Sequence, residues 1–70
     1  MSKKLEEKKK QKREALLMAA FSLFTSKGIN ETSISDIASK AKMAKGTFYL
    51  YFKDKYDIRD KLITEQAGQL

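Results

Sequence analysis

Residues 33–55 read SISDIASKAKMAKGTFYLYFKDK, and the reading of this stretch decides the fold. Ile34, Ile37, Ala38 and Ala41 follow the i, i+3, i+4, i+7 spacing that puts apolar side chains on one face of a short helix, residues 34–41. Lys42, Met43 and Ala44 make a tight break. In residues 45–52, Phe48 and Phe52 share one helical face and are expected to point inward, while Lys45, Thr47, Tyr49, Leu50 and Tyr51 cover the remaining surface. Two short helices, the second rich in cations, hydroxyls and aromatics, predict a helix-turn-helix that docks on DNA.

Several positions in the stretch carry two readings. Ser33-Ile34-Ser35-Asp36 has the form of a capping box with Ser33, or else Thr32, as N-cap. The same helix start offers free amides and positive dipole to a phosphate, so Ser33 and Ser35 are candidates for DNA contact as well. Gly46 lies in the first turn of the second helix, where glycine costs up to about 1 kcal/mol relative to alanine. Its purpose is close approach either to a DNA phosphate or to the preceding helix. Tyr49 and Tyr51 serve DNA contact or partial burial, and the Thr47 methyl suits the methyl of thymine. Lys55 opens a further helix at the end where the dipole disfavours a cation, which points to a phosphate.

Working outward, Leu16, Ala20, Leu23 and Phe24 form the inner face of a helix over residues 12–26, widened by Leu17 and Phe21. Phe24 is expected in the core. Lys27-Gly28 ends the helix, with glycine free to adopt the left-handed C′ conformation, and residues 29–32 connect it to the next. Downstream, Asp54 and Asp57 mark the start of a last helix, residues 55–66, with Ile58, Leu62, Tyr56 and Ile63 facing inward. Residues 1–11 form a basic arm, flexible or a fraying helical extension, that follows phosphates, enters a minor groove or merely solubilises the chain.

The 70-residue chain forms one small domain at residues 12–70, with an all-α fold: a three- to four-helix, homeodomain-like bundle containing the helix-turn-helix. Without cysteine or histidine it has no disulfide, thiolate nucleophile, Cys/His zinc site or imidazole for acid–base work. Neither a phosphate-binding glycine loop nor a serine nucleophile motif is present, so no enzyme, cofactor or metal is expected. No secretory h-region follows the basic start, and the longest apolar run, residues 15–21, is too short to span a bilayer. A cytoplasmic location is expected.

The formal net charge of +6 is segregated: residues 1–13 carry +5 and residues 39–55 carry +4, with the rest slightly acidic. Two basic blocks are the footprint of a polyanion binder. An alternative from another class is a basic amphipathic module that binds an anionic membrane surface or an acidic protein. It accounts for the arm but not for residues 46–52.

Leu16, Ala20, Leu23-Phe24, Gly28, Thr32, Ile37-Ala38 and above all Lys45-Gly46-Thr47-Phe48-Tyr49, Phe52 and Lys55 resemble the N-terminal DNA-binding domain of the TetR family of bacterial transcriptional regulators. The resemblance implies a homodimer, usually a repressor, on an inverted-repeat double-stranded operator. It also implies a larger C-terminal domain that binds a small effector and forms the dimer; these residues contain no counterpart. By matched position, Ser35 and Thr47 resemble base readers, Leu50 and Tyr51 face the groove, and Lys45, Gly46, Tyr49 and Lys55 resemble phosphate contacts. The turn departs from the family: Lys42 stands where glycine is common, gaining a phosphate contact or straining a left-handed position, and Ala44 lacks a capping hydroxyl.

Overall fold

Capping and stop signals divide the chain into four helices. A computed structural model describes the backbone of residues 2–66 and the side chains of residues 10–64. Helices α1 (Ser2–Lys27), α2 (Ile34–Lys40), α3 (Lys45–Tyr51) and α4 (Lys55–Lys61) follow one another, and α4 runs into a wider π-type turn, Leu62–Gln66. There is no strand among the described residues. The architecture is the all-α bundle expected, with α1 against α2 and α4, and α2 against α3.

Helix α1 begins well before residue 12, and of the two readings of the arm the structure has the helical extension. The boundary expected near residue 12 does not appear, because the backbone is already helical at Ser2. Lys, Leu, Glu and Gln, which fill residues 3–12, are good helix formers with no glycine or proline to interrupt them. The stop is as expected: Gly28 takes φ +85°, and its N–H donates to the Phe24 carbonyl at 3.1 Å.

The core is built from Leu16, Leu17, Ala19 and Ala20 of α1, Ile37 and Ala38 of α2, Phe48 and Phe52 from α3 and its end, and Ile58 and Leu62. Leu23, Phe24, Ile34, Ala41, Met43 and Tyr51 pack around it, partly buried. Three apolar residues expected inside are outside: Phe21 is 56% exposed, Tyr56 46% and Ile63 61%. Phe21 lies beside Met18 on a neighbouring ridge of α1, and the two line a shallow groove of about 210 Å³ with Leu17 and Leu62. Tyr56 instead stands under two cations, with Lys55 Nζ 5.6 Å and the Arg59 guanidinium carbon 5.8 Å from its ring centroid.

The starts of α2 and α4 are capped as the sequence predicts. Ser33 Oγ accepts from the Asp36 N–H at 3.0 Å, and Asp36 accepts from the Ser33 N–H at 3.0 Å, which completes the box. That backbone bond, then the Lys27 ammonium 3.1 Å from Oδ2, holds the Asp36 carboxyl below the ordinary carboxylate range. At α4, Asp54 accepts from the Asp57 N–H at 2.8 Å, while Asp57 accepts from the Lys53 N–H at 2.9 Å. Ala44, the N-cap of α3, makes no side-chain cap bond.

The turn between α2 and α3 is strained at one residue. Lys42 has φ +60°, the one non-glycine residue with positive φ among those described, and the N–H groups of Lys42 and Met43 close the end of α2 onto Ser39 and Ala38. Left-handed backbone costs an L-residue roughly 1–2 kcal/mol. Lys42→Gly is therefore expected to raise stability by about 1 kcal/mol after glycine's own entropic cost. A higher urea midpoint at unchanged slope is the result to look for; a lower midpoint would mean that the lysine stem contributes packing.

Candidate nucleic-acid interface

Burial of Phe48 fixes which side of α3 faces out. Its ring is fully enclosed, edge-on to Tyr49 at 5.5 Å between centroids and tilted against Phe52 at 5.7 Å. The guanidinium carbon of Arg13 lies 5.5 Å from the centroid of the Phe52 ring, so α1 closes this side of the core. With Phe48 anchored, Lys45, Gly46, Tyr49 and Leu50 are left exposed, and Thr47 and Tyr51 flank them half-buried. Leu50 is the most exposed large apolar residue described, at 79%, and Tyr49 is 52% exposed.

The expected site residues lie within residues 33–55, with three qualifications. Lys42, Ala44, Lys45, Gly46, Tyr49 and Leu50 are exposed in α3 and the turn before it, and Ser33 and Ser35 are exposed at the start of α2. Ser33 is also committed to the capping box. Tyr51 packs against the core cluster, so of the two tyrosines it has the burial and Tyr49 the exposure. Lys55 differs most from its expected place: Nζ donates to the carbonyl oxygens of Ile29 at 2.8 Å and Thr32 at 3.0 Å. Those bonds answer the dipole argument with a partner inside the protein.

At Gly46 the structure argues against one of the two readings, close approach to the preceding helix. A Cβ built on it meets no heavy atom within 4 Å, so no neighbouring helix requires the glycine. Sequence reasoning passed over Lys53, exposed in the bend after α3; its only signal was membership of the basic block. Thr32, expected as a family feature and as the alternative N-cap, leaves the cap to Ser33; it is 1% exposed and its hydroxyl donates to the Gly28 carbonyl at 2.7 Å.

Two helices joined by a short turn, the turn and second helix presenting Lys42 and Lys45, a bare backbone and an exposed tyrosine and leucine, define a helix-turn-helix module of the DNA-binding class. The family model described as bacterial regulatory proteins, tetR family, matches residues 16–62. An uncharacterized HTH-type transcriptional regulator, YvdT, of Bacillus subtilis (strain 168) is 43% identical over 84% of this chain and 32% of its own length. The HTH-type transcriptional repressor BepR of Brucella suis is 39% identical over 73% of this chain and 24% of its own. The fatty acid metabolism regulator protein of Bacillus subtilis is 41% identical over 77% and 28%. The chain belongs to the tetR family, DNA-binding transcription regulators rather than enzymes. It spans about a third or less of the length of these relatives. No solved structure matches it significantly.

Proposed function

We propose that this chain is the operator-reading domain of a transcriptional repressor, with α3 in the major groove of double-stranded DNA. The observation that carries the reading is the outer face of α3, where Lys45, Gly46, Tyr49 and Leu50 stand exposed behind a fully buried Phe48. Lys42 and Lys45 neutralise phosphates, the Gly46 backbone and the Tyr49 hydroxyl approach them, and Thr47 and Ser35 read base edges with Leu50 and Tyr51 against the groove wall. Ser33 and Ala44 set the helix starts beside the backbone. Repression is supported by the Brucella relative, itself a transcriptional repressor.

One such domain contacts a half-site, so an inverted repeat requires two copies brought together by further chain of the kind the longer relatives possess. A small effector would act through that further chain, in the cytoplasm. Among the described residues no helix is long and apolar enough to cross a membrane. The alternative of a basic module on anionic lipid or an acidic protein leaves the outer face of α3 without a purpose, and nothing in the family relation supports it.

The test is selection of bound duplexes from a random pool by a covalently linked dimer of this chain. An inverted repeat is expected; a pool that stays random after enrichment would refute sequence-specific reading. On the selected duplex, Lys45→Gln should reduce the slope of log affinity against log salt by about 0.9 and act alike on all sequences. Thr47→Val should instead change the preferred base at one position. If Thr47→Val lowers affinity evenly for every sequence, Thr47 is no base reader.

A further inference from the structure

Lys55 is the first residue of α4, next to the positive end of the helix dipole, where its charge is disfavoured. What balances it is the connector between α1 and α2. The ammonium donates to the Ile29 carbonyl at 2.8 Å and to the Thr32 carbonyl at 3.0 Å, contacts that reach back 26 and 23 residues. The connector is closed on itself by the Thr32 N–H, which donates to the Ile29 carbonyl at 3.2 Å, and by the buried Thr32 hydroxyl on the Gly28 carbonyl at 2.7 Å. Ser33 follows at once and caps α2, whose Asp36 is paired with Lys27 at 3.1 Å.

Two of the three ammonium N–H groups are thus used inside the protein, on half-buried acceptors that would otherwise lack a donor of this strength. Helix α4 packs on α1, and α2 on α3. The lysine is a polar tie from α4 to the point where α2 begins, and through α2 it bears on where α3 stands. We infer that Lys55 is a positioning residue for DNA binding, holding the start of α2 in place from α4 without itself neutralising a phosphate. This rests on α3 being the DNA-reading element.

The experiment uses the whole chain and a duplex enriched by it from a random pool, with affinity measured by fluorescence anisotropy between 50 and about 200 mM KCl, the range over which phosphate contacts are felt most. Lys55→Met, which keeps the stem and removes the donors, should bind about fivefold more weakly at every salt concentration, with a salt slope equal to that of the unsubstituted chain. Lys45→Gln provides the contrast, its slope falling by about 0.9. A slope lowered by the same amount in Lys55→Met would make Lys55 a phosphate contact and overturn the inference. Affinity unchanged in a variant that is folded but melts earlier would reduce Lys55 to a stability residue, which also overturns it.

A second measurement needs no variant to fold. Acetylation of lysines in the unsubstituted chain, followed by mass spectrometry, should find Lys55 slower than Lys42 and Lys45 in the free chain and unaffected by duplex, while duplex protects the other two. Protection of Lys55 by duplex in step with Lys45 would overturn the inference. If no duplex protects any lysine, the DNA-reading proposal itself falls, whereas slow acetylation in the free chain still reports the tie.

Discussion

Phe48→Ala is expected to abolish the cooperative thermal transition of this chain at 37 °C. Phe48 is fully enclosed and is the largest of the fully buried side chains, in contact range of Phe52 and Tyr49 at 5.7 and 5.5 Å between ring centroids. Truncating a buried phenylalanine costs about 3–5 kcal/mol, because the removed ring takes its transfer free energy with it and leaves a cavity. A chain of this length has only about 3.5–10 kcal/mol of total stability, at roughly 0.05–0.15 kcal/mol per residue. The substitution therefore removes about 30% of that stability at the least, and all of it where the total lies below about 5 kcal/mol. Far-UV circular dichroism should show a broad, shallow loss of helix in place of a sigmoid. A sharp transition within a few degrees of the unsubstituted chain would mean that the centre of the core lies elsewhere.

Phe24, the aromatic that the helical pattern places in the core, is only partly buried. Its truncation should cost less than that of Phe48. The periodicity of residues 16–24 identifies apolar positions correctly but contains two adjacent ridges, one through Leu16, Ala20, Leu23 and Phe24, the other through Met18 and Phe21. Which ridge is covered depends on where α4 crosses α1, a contact between residues some forty positions apart, and no local pattern encodes it. Ala19 is buried for the same reason, although a single alanine sends little signal.

Features governed by neighbouring residues were legible. The Ser33–Asp36 box, the Gly28 stop and the Asp54 cap each arise within a few residues, from backbone groups that local side chains must satisfy, whereas the left-handed Lys42 was one of two readings that only the family resemblance supplied. The exposed face of α3 was legible too, because Phe48 and Phe52 define its opposite. Lys55 shows the limit: its misfit with the helix dipole could be read from the sequence, but its two carbonyl partners could not, being 23 and 26 residues away. The surplus of lysines over protein acceptors made a phosphate the natural expectation.

Gly46→Ala is expected to make the chain more stable and at the same time a poorer ligand for DNA, by more than about tenfold in affinity. Glycine within a helix is less favourable than alanine by up to about 1 kcal/mol, and Gly46 has neither a positive φ nor a neighbour that a methyl would strike within 4 Å. Nothing inside the fold offsets that cost. The position is exposed, adjacent to Lys45 and one turn before Tyr49 and Leu50, so the missing side chain leaves backbone open on the very face assigned to the duplex. A methyl there would hold the phosphate or base edge away and lengthen every contact on that face by a fraction of the van der Waals diameter it adds. Urea denaturation and anisotropy on the same preparation separate the two effects. Higher stability with undiminished affinity would show that the bare backbone of α3 is not where DNA makes its closest approach, and would move the interface toward the exposed lysines of the turn.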